Sequence, residues 1–278
     1  MTNVKKIVSV QDLSCYGQCS LTAALPVLSA RGVETAILPS ALLSTHTGGF
    51  HGYTVLDLTD EMPKIVAHWK QEGIRFDAIY TGYIGDARQF DIIMRMRELL
   101  YDGGLLIVDP AMADHGKLYA ALNEDIVDGM RRLVGNADVI LPNLTEAAFL
   151  LGREYKESYS PKEIEEMLRA LCAMGPQYSI LTGVSWEPDK IGAVCFDRER
   201  GETVSYFTDR VEKSYHGTGD LFSAVAVADI VRGKGMEEVL KNACEFTCRA
   251  ICATVDDPAH PYGVHFEPIL SGEYPQSE

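Results

Sequence analysis

The chain has 278 residues, of which 46% are apolar and 23% charged, and its net charge is −15. The length fits one large α/β domain, and the negative charge opposes binding to nucleic acid or anionic membrane surfaces. No segment approaches the roughly 18 consecutive apolar residues of a membrane helix. The seven cysteines are an odd number and scattered, which indicates a reducing compartment. We therefore expect a cytoplasmic protein that binds neither nucleic acid nor membranes.

Apolar segments rich in β-branched residues alternate with amphipathic segments along most of the chain. The segments predicted to form buried strands are 7–12, 33–39, 76–83, 105–110, 137–143 and 178–183. The helical patterns between them include 86–100, 122–134, 144–152 and 161–174. This alternation is typical of a largely parallel sheet with helices on both faces.

The pattern changes near the C-terminal end. Residues 191–197 and 203–209, joined by the turn-like sequence RERG, predict an antiparallel hairpin. Two more helices are predicted over 218–232 and 236–255. We expect an α/β fold of three layers, αβα, with a mostly parallel central sheet and this hairpin near its C-terminal end. It would form a single domain over residues 1–271, followed by a polar tail over 272–278.

Polar residues and glycines concentrate where the predicted strands end. In open α/β sheets this edge is where ligands bind. In chain order these positions are Asp12, the loop 44–53, Tyr83, Asp109, Asn143 with Glu146, Thr182 and the sequence HGTGD at 216–220. We therefore expect the functional site along this edge.

The sequence HGTGD has two interpretations. Asp220 is a favoured type of helix N-cap, so an ordinary loop and cap would explain it. Alternatively, the backbone amides of Gly217, Thr218 and Gly219 form an anion site at the start of a helix. In that case an acid beside the anion is poorly placed to bind phosphate but well placed to accept a proton.

Two further motifs have the same ambiguity. Asp109 before Pro110 is either an ordinary strand exit or a carboxylate that holds hydrated Mg²⁺. Asn143 and Glu146 are either a capping box or a nucleotide and metal site. Taken together with the glycine loop, these residues supply what phosphoryl transfer needs, namely an anion cradle, carboxylates for Mg²⁺ and a base, Asp220, for the attacking hydroxyl.

Seven motifs, in order, resemble the ribokinase-like superfamily and, within it, the pyridoxal, pyridoxine and pyridoxamine (vitamin B6) kinases. They are VQDLSCYGQCS, THTGG, TGYIGD, DPAMADHGKLY, PNLTEA, LTG and HGTGDLFSA, and they cover nearly the whole chain. The resemblance implies that ATP phosphorylates the 5′-hydroxymethyl group of a B6 vitamer. It implies Asp220 as the catalytic base and Gly217, Thr218 and Gly219 as the anion hole.

The resemblance also assigns the ligand sites. Asp109 and Glu146 would serve Mg²⁺ and the nucleotide phosphates, and Asn143 and Thr182 would lie along the nucleotide. The residues implied to face the pyridine substrate are Asp12, Thr47, Gly48 and Tyr83. A homodimer is expected, and the sequence leaves open whether a monovalent cation assists.

Three alternatives remain at this point. Hydroxymethylpyrimidine kinase of thiamin synthesis has the same fold, but its anion-hole motif typically reads GTGC, with Cys where this chain has Asp220. The chain also departs from the B6 kinases at one position, because they often have Ser where Asp12 stands. A dinucleotide-dependent oxidoreductase would need GxGxxG after the first strand, where this chain has DLSCYGQCS. A non-enzymatic ligand-binding protein on the same fold is the third alternative.

Four histidines lie in the loops expected to form the crevice at the carboxyl ends of the strands, namely His46, His51, His115 and His216. No HxxxH or Cys/His spacing typical of zinc accompanies them. We expect them to be ordinary loop histidines.

Overall fold

The computed structural model describes residues 4–120, 122–213, 215–255, 257, 260 and 262–273. Its strands in chain order are β1 (Lys6–Ser14), β2 (Glu34–Leu43), β3 (Val55–Asp57), β4 (Phe76–Thr81), β5 (Leu100–Val108), β6 (Ala113–Asp114), β7 (Lys117–Leu118), β8 (Val139–Ile140), β9 (Tyr178–Val184), β10 (Lys190–Asp197) and β11 (Glu202–Asp209). Nine of them form one sheet in the order β11-β10-β9-β8-β5-β4-β1-β2-β3, while β6 and β7 form a small separate hairpin.

The helices pack on both faces of this sheet. In chain order they are α1 (Leu21–Ala30), α2 (Met62–Gln71), α3 (Arg88–Met96), α4 (Glu124–Val134), α5 (Leu144–Leu151), α6 (Pro161–Ala173), α7 (Thr218–Val231), α8 (Met236–Thr254) and α9 (Glu267–Ser271). Pairing is parallel from β2 through β9 across the centre of the sheet, and antiparallel for β2–β3, β9–β10 and β10–β11.

Each face of the sheet has its own apolar core. One contains buried side chains from α2 to α6, and the other contains those from α1, α7 and α8. Helix α7 is buried at every residue from Leu221 to Val231 because it packs on the sheet and is covered by α1 and α8. Burial of each large apolar side chain stabilises the fold by about 1.5–3 kcal/mol. Helix α7 is therefore a rigid support for the residues at its N-terminus.

The predicted three-layer fold is confirmed, with its mostly parallel sheet and its antiparallel hairpin, now β10 and β11. All six predicted strands and all six predicted helices are present, with boundaries that differ by a few residues. Strand β1 continues to Ser14, so Asp12 lies inside the strand and not at its end. A bulge between Gln11 and Leu13 allows this extension, since β1 resumes its pairing with β2 at Leu13.

Several short elements had no clear signal in the sequence, namely α1, α2, α9, β3 and the β6–β7 hairpin. The predicted tail over 272–278 lies outside the described residues from 274 onward. In the described part of the chain, no helix has both the length and the apolar character needed to cross a bilayer.

Candidate active site

The glycine loop before α7 is built around Gly217. This residue caps the helix in a left-handed conformation with φ of 85°. A Cβ at Gly217 would lie 2.1 Å from the carbonyl oxygen of Gln18, so a side chain would force apart the loop after β1 and the loop before α7. A Cβ at Gly219, in contrast, would meet no atom within 4 Å. The first turn of α7 therefore has open space beside it, where its unpaired amides are available to an anion.

Asp220 does not cap its own helix. Gly217 is the N-cap residue, and no side chain makes a capping hydrogen bond there. Instead, the backbone amide of Ser20, at the end of the loop after β1, donates to Asp220 Oδ2 at 2.8 Å. The interpretation of HGTGD as an ordinary cap is thus wrong for Asp220. The carboxylate is held across the crevice by a distant part of the chain.

Burial raises the pKa of Asp220 to about 7. The hydrogen bond from Ser20 opposes this shift, and the negative charge of Asp12 adds to it. A carboxyl group with this pKa is a stronger base than an ordinary Asp and is still substantially ionised at neutral pH.

Asp12 and Tyr83, the residues predicted to face the substrate, lie close together. Asp12 is buried, and the Ser14 hydroxyl donates to its Oδ2 at 3.3 Å. Burial is the main cause that raises the pKa of Asp12. Burial also raises the pKa of Tyr83 to about 12, with a further contribution from the charge of Asp12. The two side chains are therefore near neighbours although 70 residues separate them in sequence.

Asp109 follows β5 and is tied to α7 by Ser223. The Ser223 hydroxyl donates to Asp109 Oδ2 at 2.6 Å, and both residues are buried. Burial raises the pKa of Asp109 to about 7; the Ser223 bond opposes the shift and the charge of Asp220 adds to it. The sequence analysis did not identify Ser223. Its spacing of three residues from Asp220 was a usable signal, because i and i+3 share one helix face.

Glu146 and Asn143 form the capping box at the start of α5. The amide of Asn143 donates to Glu146 Oε2 at 2.8 Å, and the amide of Glu146 donates to Asn143 Oδ1 at 2.9 Å. The second carboxylate oxygen of Glu146 accepts from the amide of Met112 at 3.2 Å, and Asn143 Nδ2 donates to the carbonyl of Ala113 at 2.8 Å. The structural interpretation of this motif is therefore correct, and the metal and nucleotide roles remain predictions.

Burial raises the pKa of Glu146, and the charge of Asp109 contributes. Asp109 in turn is influenced by Asp220, and Asp220 by Asp12. These four acids thus form one electrostatically connected row along the carboxyl edge of the sheet. Asp109 and Glu146, which are neighbours in this row, offer carboxylate oxygens of the type that a hard divalent cation binds.

The remaining predicted residues flank this row. Thr182 pairs with Asn143 through an isolated parallel bridge, and its amide donates to the carbonyl of Pro142 at 3.0 Å. Gly48 brings the loop 44–53 against the glycine loop before α7, because a Cβ there would lie 2.5 Å from the His216 ring. Thr47 is exposed next to Gly48.

His46 is a structural residue of the crevice. Its ring is buried; Nδ1 accepts from the amide of Gly48 at 3.1 Å, and Nε2 lies 2.9 Å from the carbonyl of Tyr262. With one nitrogen accepting and the other donating, the imidazole is neutral, and burial lowers its pKa accordingly. The ring also fills the space left by Gly17, whose Cβ would lie 2.1 Å from it. No pattern in the sequence indicates that this loop histidine is buried.

Comparison with known proteins matches most of the chain to proteins that are named as kinases. The family model described as phosphomethylpyrimidine kinase matches residues 15–262. A solved structure from Bacteroides thetaiotaomicron, provisionally named a phosphomethylpyrimidine kinase and crystallised with pyridoxal, is 38% identical, with a TM-score of 0.92 over 99% of this chain and 98% of that one. The pyridoxal kinase of Lactobacillus plantarum is 34% identical, with a TM-score of 0.89 over 97% of this chain and 96% of that one. The pyridoxine/pyridoxal/pyridoxamine kinase of Bordetella avium is 29% identical over 89% of this chain and 85% of its own length.

Proposed function

The chain belongs to the phosphomethylpyrimidine kinase family of the ribokinase-like superfamily, and we propose that it phosphorylates the 5′-hydroxymethyl group of a vitamin B6 vitamer with ATP. The observation that carries this proposal is the position of Asp220. Its carboxylate is held by the Ser20 amide in the first turn of α7, beside an open space lined by glycine loop backbone.

Asp220 is the general base. The substrate hydroxyl oxygen attacks the γ-phosphorus of ATP, its proton passes to the Asp220 carboxylate, and the bond from the γ-phosphorus to the bridging oxygen breaks to release ADP. The raised pKa of Asp220, about 7, favours this proton transfer as the attacking oxygen becomes acidic. The amides of Gly217, Thr218 and Gly219 stabilise the charge on the moving phosphoryl group.

The acids on the nucleotide side fit Mg²⁺. Asp109 is buried with one oxygen bonded to Ser223, and Glu146 lies beside it with both oxygens bonded to backbone amides. Asp109 would hold the ion directly or through water, and Glu146 through water. When bound, Mg²⁺ neutralises the triphosphate charge that the net charge of −15 otherwise repels. Asn143 and Thr182 lie together where the nucleotide would extend.

The substrate side consists of Asp12, Tyr83, Thr47 and Gly48. Asp12 and Tyr83 contact the pyridine ring or its substituents in this proposal, and Gly48 and Thr47 close the site from the loop 44–53. Pyridoxal in the Bacteroides thetaiotaomicron structure and the pyridoxal kinase name of the Lactobacillus plantarum protein support this choice of substrate. A homodimer, a cytoplasmic location, a single domain over 1–271 and a monovalent cation are further proposals that need their own measurements.

The deciding experiment is a substrate panel. Pyridoxal, pyridoxine, pyridoxamine and hydroxymethylpyrimidine are each supplied with ATP and Mg²⁺, and ADP and phosphorylated product are quantified. We expect turnover of at least one B6 vitamer with kcat/KM well above that for hydroxymethylpyrimidine. The family description makes hydroxymethylpyrimidine the second candidate; a preference for it would replace the proposal, and no turnover of any compound would favour a non-enzymatic binding protein.

A further inference from the structure

Three metal-ligating side chains converge in the segment that follows α8, outside the row of crevice acids. Asp257, His260 and His265 each offer one ligand atom, and these atoms all lie within 4.8 Å of one another. We propose that they form a site for a divalent transition-metal ion of the zinc class. Two imidazoles and one carboxylate are a donor set that such ions prefer, whereas Mg²⁺ prefers oxygen ligands alone.

The Asp257–His265 pair is already spaced for an ion. His265 Nε2 lies 3.0 Å from Asp257 Oδ2. Two ligands each about 2.0–2.2 Å from a zinc ion are separated by a similar distance when both coordinate it. When bound, the ion would lie between these two atoms, and the neutral imidazole would carry its single proton on Nδ1.

His260 is oriented by a chain of hydrogen bonds. The carboxylate of Glu267 is an acceptor, so the amide nitrogen of Gln18 must face it, and the Gln18 oxygen then faces His260. His260 Nε2 lies 2.8 Å from that oxygen and therefore donates to it. This leaves Nδ1 of the neutral ring with a free lone pair. Outer partners of this type orient metal-bound histidines and set their tautomer.

Hydrogen bonds to Thr254 hold the backbone of Asp257 and of His265. The Thr254 hydroxyl, at the end of α8, accepts from the amide of His265 at 2.8 Å and donates to the carbonyl of Ala250 at 2.7 Å. The carbonyl of Thr254 accepts from the amide of Asp257 at 2.9 Å. Thr254 therefore fixes the first and last ligands relative to the same helix end, which lowers the ordering cost of binding.

The two imidazole rings lie close together. Their centroids lie 3.7 Å apart, so two protonated rings would repel each other. Burial lowers the pKa of His260, and the neighbouring His265 contributes. Metal binding displaces protons from imidazole nitrogens, so the affinity should fall as the pH decreases.

An ion at this position would fasten the C-terminal segment to the catalytic loops. The amide of Gln18 donates to the carbonyl of Tyr262 at 3.3 Å, and a Cβ at Gly263 would lie 2.8 Å from the Gln18 side chain. The Gln18 carbonyl in turn lies against Gly217. The site is thus a structural clamp next to the proposed anion hole, and it does not depend on the identity of the substrate.

The test measures metal binding without nucleotide. The protein, in a Cys248→Ser, Cys252→Ser background that removes an adjacent thiol pair on α8, is stripped with chelator and dialysed against Zn²⁺ in excess Mg²⁺ at neutral pH. We expect one equivalent of bound Zn²⁺ per chain and a higher melting temperature with Zn²⁺ than without. Co²⁺ in place of Zn²⁺ should give a visible spectrum without sulfur-to-metal charge transfer.

Variants locate the site. His265→Gln and Asp257→Asn should each weaken Zn²⁺ binding by about tenfold or more and abolish the Zn²⁺-dependent rise in melting temperature. The matched control is His68→Gln, because exposed His68 also lies near an acid, 3.7 Å from Glu72, but has no third ligand; it should bind Zn²⁺ like the parent. If the parent binds no Zn²⁺, or if the two site variants bind it as well as the control, the proposal is wrong.

Discussion

Helix α7 carries two aspartates in opposite electrostatic situations. Asp220, in the first turn, receives one backbone amide, and burial, with a contribution from the charge of Asp12, raises its pKa to about 7. Asp229, nine residues later, is completely buried but surrounded by donors. A nitrogen of Arg31 lies 2.9 and 2.8 Å from its two oxygens, Asn242 Nδ2 donates at 2.6 Å, and Lys234 Nζ lies at 3.4 Å.

We infer from this difference that one aspartate of α7 stabilises the fold and the other is reactive. A buried carboxylate that is fully paired, such as Asp229, contributes to the specific packing of α1, α7 and α8. A buried carboxylate without a cationic partner, such as Asp220, has a raised pKa and is a stronger base. The same substitution, Asp to Asn, should therefore affect activity at one end of α7 and stability at the other.

The largest effect is expected for Asp220→Asn. Asn preserves size and can still accept from the Ser20 amide, but it cannot accept the substrate proton. We expect kcat to fall by on the order of 10² to 10⁴, the usual contribution of general-base catalysis. ATP binding by calorimetry and the melting temperature should be close to wild type or higher. Turnover within a few-fold of wild type would remove Asp220 from the mechanism.

Asp229→Asn should reverse this pattern. It leaves the charges of Arg31 and Lys234 without their buried partner, and breaking such a pair costs about 3–5 kcal/mol of unfolding free energy. Denaturant unfolding measures the loss, and kcat at low temperature, per folded molecule, should be near the wild-type value. Arg31→Met in the same background removes one orphaned charge and should restore part of the stability. Unchanged stability in Asp229→Asn would mean that the network is not structural.

The pH dependence of activity tests the raised pKa directly. Because the base must be ionised and the pKa of Asp220 is about 7, kcat/KM should fall about tenfold for each pH unit below that value. The measurement is kcat/KM for the vitamer from acid to alkaline pH at saturating ATP and Mg²⁺. A profile that is flat down to the ordinary range of an Asp carboxyl would contradict both the burial effect and the assigned role.

Asp109→Asn should weaken nucleotide binding while stabilising the protein without ligand. A folded-state pKa raised to about 7 means that ionisation of Asp109 opposes folding, so stability falls as pH rises from the unfolded value toward 7. At alkaline pH the melting temperature of the variant should exceed that of wild type by about 2–4 °C for each kcal/mol of relieved repulsion. At acid pH the two melting temperatures should be equal. In the presence of Mg²⁺, the ATP affinity of Asp109→Asn should fall toward the affinity of the wild-type protein without metal. Ser223→Ala is the control, because it removes only the hydrogen bond to Asp109. If the wild-type protein binds ATP with the same affinity with and without a divalent ion, the Mg²⁺ assignment is wrong.

The smallest effect is expected for Asp12→Ser. This change should alter the ranking of pyridoxal, pyridoxine and pyridoxamine by a few-fold in kcat/KM, because the side chain lies near Tyr83 and both are proposed to contact the substrate. ATP affinity should remain near wild type. A collapse of ATP affinity with an unchanged ranking of vitamers would place Asp12 on the nucleotide side instead.

Local sequence patterns were sufficient to predict the layered fold and the edge of the sheet at which the acids lie. Strand and helix periodicities are local properties, so segments such as 178–183 and 161–174 could be assigned from neighbouring residues alone. Parallel topology then placed the positions after β5, β8 and β9 at one edge of the sheet. The acids that follow these strands, Asp109 and Glu146, were identified in this way.

Many contacts of the acids, in contrast, could not be predicted, because they are made with residues that are distant in the sequence. The partner of Asp220 is the backbone amide of Ser20, 200 residues away, and a backbone donor leaves no mark in the sequence. Whether Asp220 or Asp229 is paired depends on Arg31 and Lys234 arriving from α1 and the α7–α8 turn. The pKa of each group follows from burial and from charges distant in the chain, and these exist only once the chain has folded.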